Sequence, residues 1–190
     1  GLVFASGKLE GQLDEVGLTD IATSIELMHT YSLIHDDLPA MDDDGMRRGQ
    51  PSNHVEFNEA TAILAGDALQ ALAFETIASS KGITDAHKTE AIRMLAEACG
   101  HQGMILGQQY DLDAEKNELL DIELIHSLKT AKLIQVALTM PYLGNEMYKK
   151  TQALLNNLGG KIGLAFQIMD DVLEVSSDSV TLGKTNLSDI

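Results

Sequence analysis

Two acidic clusters hold the residues best suited to chemistry in this 190-residue chain. The first runs Asp36-Asp37-Leu38-Pro39-Ala40-Met41-Asp42-Asp43-Asp44 and is followed at once by Arg47-Arg48; the second is Asp170-Asp171-Val172-Leu173-Glu174. Carboxylates this close repel one another, and hard divalent cations held by oxygen ligands are the usual means of neutralising them. Asp170 and Glu174 stand four apart, on one face of a helix, and can share metals. Asp36 and Asp42 can do the same if the Pro39-Ala40 segment bends the chain between them. Arg47 and Arg48 add guanidinium forks that match phosphate oxygens in bidentate geometry. Lys129, before Thr130, and Lys184, after Gly183, supply further cations. Carboxylates, arginines and lysines gathered around apolar helices imply one shared metal site, built for a phosphorylated molecule with an apolar tail.

Helices must position these groups, because strand signal is almost absent. Leu18, Ile21, Ala22, Ile25, Met28 and Ser32 recur at spacings of three and four. That pattern predicts a helix from Leu18 to His35 that delivers Asp36 at its C-terminal end. Pro39 and Pro51 bracket an irregular segment containing Gly45 and Gly49, consistent with a loop over a site. Further helices are expected over 59–80, with Ile63, Leu64, Leu69, Leu72 and Ile77 inward, and over 86–112, 121–140 and 146–175. Gly159 and Gly163 lie four apart on the last and permit close approach by a neighbour. The reading is an all-α bundle.

Composition bounds the function. A hydrophobic content of 44% supports one sizeable core. The formal charge of -16 argues against a nucleic-acid or anionic-membrane partner, and no apolar run approaches the length needed for membrane insertion. Cys99 is the only cysteine, which excludes an internal disulfide and fits a reducing compartment. Blander readings compete. An isolated acidic run is usually a solvated helix end. An EF-hand register that puts Asp42, Asp44 and Gly45 at positions three, five and six places Ala40 first and Pro51 twelfth, and fails. His35-Asp36 resembles the metal-binding pair of helical phosphohydrolases, with His29 or His54 as further ligands. His54, His87, His101 and His126 otherwise read as hydrogen-bonded structural residues.

The run Glu26-Leu27-Met28-His29-Thr30-Tyr31-Ser32-Leu33-Ile34-His35, leading into Asp36 through Asp42 and then Arg47-Arg48-Gly49, resembles the first aspartate-rich motif of the trans-isoprenyl diphosphate synthases. Phe166-Gln167-Ile168-Met169-Asp170-Asp171 resembles their second. Between them, Ala65-Gly66-Asp67-Ala68-Leu69, Gly107-Gln108 with Asp111, and His126 with Lys129-Thr130 match the intervening signatures in order, and Gly183-Lys184 follows where the family has its Gly-Lys. The two-residue Pro39-Ala40 insertion is similar to that of the bacterial farnesyl diphosphate synthases.

The resemblance implies an isoprenoid-synthase-type all-α bundle around a central cavity. Residues 1–190 would form a single helical prenyltransferase domain, incomplete at both ends because the family's Gly-Lys-x-x-Arg segment and closing lysine motif are absent. It implies a cytoplasmic homodimer that condenses isopentenyl diphosphate with dimethylallyl or geranyl diphosphate, with farnesyl diphosphate as main product and magnesium as cofactor. By motif position, Asp36, Asp42 and Asp170 hold the metal. Arg47, Lys129 and Lys184 grip the allylic diphosphate, His29 and Arg48 face isopentenyl diphosphate, and Thr130 and Gln167 present oxygen dipoles to the developing cation. Tyr31 floors the tail pocket and sets chain length, although its offset of about 140° from Asp36 on an ideal helix does not by itself aim the ring there. Glu174, Gly45 and Leu106 depart from the usual pattern. A geranylgeranyl diphosphate synthase, a class I terpene cyclase, a metal phosphohydrolase and a non-catalytic prenyltransferase subunit are the alternatives.

Overall fold

The computed structural model describes residues 1–114, 121–145 and 148–176, with backbone alone for Glu10, Asp171 and 174–176. Its elements are α1 (Leu2–Glu10), α2 (Glu15–Asp36), β1 (Met46–Arg47), β2 (Gln50–Pro51), α3 (Asn53–Glu56), α4 (Glu59–Ser79), α5 (Asp85–Cys99), α6 (Met104–Ala114), α7 (Ile122–His126), α8 (Lys132–Thr139) and α9 (Tyr148–Ser176). A π-helical turn, Ser127–Ala131, joins α7 to α8, and a 3-10 turn, Met140–Tyr142, follows α8. The all-α reading is borne out, with one two-stranded hairpin among the described residues.

The long helices start where side chains satisfy their first N–H groups. Asp14 accepts from the backbone of Gly17 at 2.8 Å to open α2, and Asn58 accepts from Thr61 at 2.8 Å to open α4. The core gathers between α2, α4, α5 and α8, where Ile21, Met28, Ile77, Leu95 and Met140 are fully buried. Ser24 on α2 donates to the carbonyl of Ala73 on α4 at 2.7 Å inside this core. On α1, Ser6 donates to the carbonyl of Leu138 at 2.6 Å and ties the N-terminal helix to α8.

Three expectations need correction. The stretch 86–112 is two helices, because Gly100 and Gly103 flank a turn between α5 and α6. On α4 the buried residues are Ala62, Gly66, Ala73 and Ile77, while Ile63, Leu64 and Leu72, expected inward, face out at 43%, 67% and 43% exposure. Small residues line the inner face because α2 comes too close for large ones: a Cβ on Gly66 would stand 2.1 Å from Nε2 of His35. Finally, α4 is long and apolar enough by length and composition to cross a membrane, at a mean hydropathy of 1.2. Its packing against α2 and the interruptions at Asp67 and Glu75 are those of a bundle helix.

Gly66→Ala is therefore expected to destabilise the fold by about 1–3 kcal/mol, the usual range for overpacking, despite alanine's better helix propensity. Urea unfolding checks this, and His35→Ala in the same chain should recover most of the loss by removing the atoms in the way.

Candidate active site

The first acidic cluster begins as the last residue of α2, a position that is electrostatically adverse because a helix C-terminus already carries partial negative charge. The chain then folds back on itself. Asp42 donates its N–H to the carbonyl of Asp36 at 3.0 Å, Met41 to Leu38 at 2.8 Å, and Leu38 is buried beneath the turn. The Pro39-Ala40 segment thus bends the chain as the sequence reading required, and sets Asp42 beside Asp36.

Both carboxylates converge on Lys129. Its Nζ lies 3.5 Å from Asp36, 4.0 Å from Asp42 and 2.5 Å from Asp111. Burial works against the ammonium, yet Asp36, Asp111 and Asp42 outweigh it and hold its pKa above that of an ordinary lysine. Lys129 reaches this position from the π-helical turn, whose backbone is flanked by two glycines. A Cβ on Gly107 of α6 would stand 2.3 Å from the Lys129 nitrogen, and one on Gly163 of α9 would stand 2.6 Å from the Ala131 Cβ. The next residue, Thr130, donates to Oε1 of Gln167 on α9 at 2.8 Å, so two residues assigned one task by sequence are in contact. Asp170 follows Gln167 by three positions on α9, on the same side of the helix.

A second group of cations stands on the β1–β2 hairpin. Met46 pairs with Pro51 and Arg47 with Gln50, leaving a two-residue turn of Arg48 and Gly49 with φ of 53° and 76°. Both central residues at positive φ define a type I′ turn, which favours Asn-Gly. Placing Arg48 there costs about 1 kcal/mol of backbone strain. Arg47 is held by Asp37, whose carboxylate accepts from Nε at 2.7 and 2.9 Å and from Nη2. Asp37, His29, Arg47, Arg48 and Asn53 line a cavity of about 220 Å³. Asn53 there keeps a buried Oδ1 without a hydrogen-bond partner within the protein.

Tyr31 is buried, with its ring edge-to-face against His35 at 5.1 Å between centroids. Nε2 of His35 lies 3.0 Å from the carbonyl of Ile63, and the imidazole packs on Gly66. Lys184 and the side chains of Asp171 and Glu174 lie outside the described residues. In the sequence Asp111 stands only as part of a signature with Gly107-Gln108, and its place four residues after Gly107, one helical turn on, is the available signal. Nothing in composition announced the π-turn. Among the described residues no three acidic or imidazole groups stand close enough together to form a ready-made metal cage.

The fold is an all-α bundle carrying the motifs in order, and the chain belongs to the polyprenyl synthetase family, which it matches over residues 2–190. It is 46% identical over 187 residues to a farnesyl diphosphate synthase of Haemophilus influenzae, covering 96% of this chain and 63% of that protein. It is 46% identical over 193 residues to the Escherichia coli farnesyl diphosphate synthase, covering 99% and 64%. The geranyltransferase of Helicobacter pylori, solved with magnesium and isoprenyl diphosphate, superposes with a TM-score of 0.84 at 37% identity, over 97% of this chain and 63% of that one. The chain thus spans less than two thirds of the length of these relatives.

The imidazole of His29 is held below its ordinary 6.5, first by burial and then by Arg48 and Arg47, against the opposing pull of Glu26. The unfolded chain therefore takes up this proton first. His29's share of stability is present above pH 6.5 and is lost as pH falls from 6.5 through the depressed folded value. Urea unfolding of His29→Gln at several pH values should show a shallower loss of stability below pH 6.5 than the unaltered protein shows.

Proposed function

We propose that this chain carries the allylic-substrate site of a short-chain prenyltransferase, a (2E,6E)-farnesyl diphosphate synthase that condenses isopentenyl diphosphate with dimethylallyl or geranyl diphosphate. The observation that carries the reading is the convergence of Asp36, Asp42 and Asp111 on one ammonium group, directly beside the Thr130–Gln167 pair. Carboxylate oxygens are the donors a hard metal takes, and the turn after α2 sets those of Asp36 and Asp42 within 4.0 Å of Nζ of Lys129, a place where positive charge is needed. Asp36 and Asp42 from one side and Asp170 from the other are the residues that would hold magnesium. When bound, it would neutralise diphosphate oxygens and assist departure of the leaving group.

The chain's own residues perform the rest. Arg47 and Lys129 bind the allylic diphosphate, joined by Lys184, while His29 and Arg48 bind isopentenyl diphosphate in the cavity beside Asp37. The allylic carbon-oxygen bond breaks with both electrons leaving on the diphosphate. The double bond of isopentenyl diphosphate then forms the new carbon-carbon bond, and transfer of a proton to the departed diphosphate restores an alkene. Thr130 and Gln167 present oxygen dipoles to the developing cation, a role supported by the hydrogen bond from Thr130 Oγ1 to Gln167 Oε1 that holds both side chains in place. The same reading makes the protein a cytoplasmic homodimer; the outward face of α4, with Ile63, Leu64 and Leu72, supports pairing with a second copy.

Tyr31 sets the product length in this reading. Its buried ring, braced by His35, cannot yield space to another isoprene unit in a packed wall. The test is an assay of the protein at full length with isopentenyl and geranyl diphosphates, resolving product length. The expected product is farnesyl diphosphate, shifting toward geranylgeranyl diphosphate in Tyr31→Ala. No condensation by the full-length protein would reject the function; an active Tyr31→Ala that still stops at fifteen carbons would reject the chain-length assignment alone.

A further inference from the structure

The first acidic cluster divides its carboxylates between two cations. Asp36 and Asp42 approach Lys129. Asp37, between them in sequence, turns to a different one. It is 2% exposed, and its oxygens accept from Nε of Arg47 at 2.7 and 2.9 Å, with Nη2 also donating to Oδ1. Asp44, 6% exposed, stands 3.6 Å from the same Nη2, and its own carbonyl accepts from the hydroxyl of buried Ser52. The grip on Arg47 is side-on, along the edge made by Nε and Nη2, which leaves Nη1 on the opposite flank.

We propose that Asp37 is not a metal ligand but the positioning residue of Arg47, with Asp44 as its second support. Backbone geometry separates it from its neighbours. Asp37 caps α2 in helical conformation (φ -68°, ψ -12°), so its side chain leaves the helix about 100° around the axis from Asp36 and cannot share its face. Arg47, in turn, needs an anchor. It sits on a strand of two residues beside a strained turn, and a hairpin that short does not hold a side chain in place by itself. A nearly buried carboxylate gripping the guanidinium supplies that anchor and lets the remaining donors meet a diphosphate in fixed geometry. Two adjacent aspartates thus serve two sites: Asp36 the metal-facing side, Asp37 the guanidinium.

The inference rests on the proposed function, in which Asp36 and Asp42 face magnesium, and its test separates the two. Calorimetry with inorganic pyrophosphate across a magnesium titration is applied to the unaltered protein, Asp36→Asn, Asp37→Asn, Arg47→Met and the Asp37→Asn/Arg47→Met pair. Asp37→Asn should weaken pyrophosphate binding roughly tenfold, the scale of one charge-assisted contact, with the magnesium midpoint unchanged. Asp36→Asn should move that midpoint. In the Arg47→Met background, Asp37→Asn should add no more than about a twofold effect, because a residue acting only through Arg47 has nothing left to position. If Asp37→Asn alone does not fold, the paired variant, which leaves neither charge buried alone, is compared with Arg47→Met for the same twofold limit. A midpoint shift in Asp37→Asn, full-strength pyrophosphate binding by it, or a further loss in the paired variant overturns the inference. Magnesium-independent pyrophosphate binding by the unaltered protein overturns the proposed function and this inference together.

Discussion

The structure depends on how negative charge is compensated at one end of α2. Asp36, Asp37 and the returning Asp42 crowd a helix C-terminus whose own dipole repels them. Two basic residues make the arrangement stable, Lys129 for Asp36 and Asp42, and Arg47 for Asp37. Asp37 shows how tightly this balance is drawn. Burial pushes its carboxyl above the usual range, while the hydrogen bonds and charge of Arg47 pull it down. Removing one partner of such a buried pair typically costs about 3–5 kcal/mol, because the other charge remains in the interior. The acidic cluster, the hairpin and the π-turn are therefore one electrostatic unit.

Each cation is delivered by an irregular piece of backbone. Arg47 arrives on a hairpin closed by a non-glycine residue at positive φ. Lys129 arrives on a π-helical turn confined by Gly107 and Gly163. Departures from regular structure concentrate where function needs a side chain aimed off the regular path. The same π-turn presents Thr130 to Gln167, so one local irregularity places both the charge on Lys129 and the dipoles beside it. The regular helices supply rigidity: α2 is fixed to α4 through Ser24 and His35, and α9 lies close enough to α8 that a Cβ on Gly159 would stand 2.9 Å from the Cα of Gln135.

Much of this was legible in the sequence. The spacing of Leu18, Ile21, Ile25 and Met28 located α2, and the first acidic cluster with Arg47, Lys129 and Gln167 marked the candidate site, because charged groups at fixed intervals leave a strong pattern. What was not legible depends on contacts between distant segments. Hydrophobicity placed Ile63 and Leu64 inward, but α2 approaches so closely that Ala62, Gly66 and Ala73 occupy that face instead. The nine residues of α1 carry too weak a pattern to mark a helix; Ser6 bonding to Leu138, the burial of Val3 and the close approach of Gly7 to Leu18 explain its place. Sequence order could not say that Asp37 and Asp36 would face different cations, nor that Asp111 would be the nearest carboxylate to Lys129.

The central claim is that Lys129 is the internal counter-cation of the carboxylates that the proposed function gives to magnesium. Magnesium binding in the absence of any diphosphate, measured by calorimetry on the unaltered protein and on Lys129→Met, tests it most directly. With the ammonium removed and the carboxylates left uncompensated, Lys129→Met should bind magnesium alone about tenfold more tightly than the unaltered protein, provided circular dichroism confirms that the variant is folded. Equal or weaker magnesium binding by a folded Lys129→Met would contradict the account, since the ammonium and the metal would then not be competing for the same oxygens.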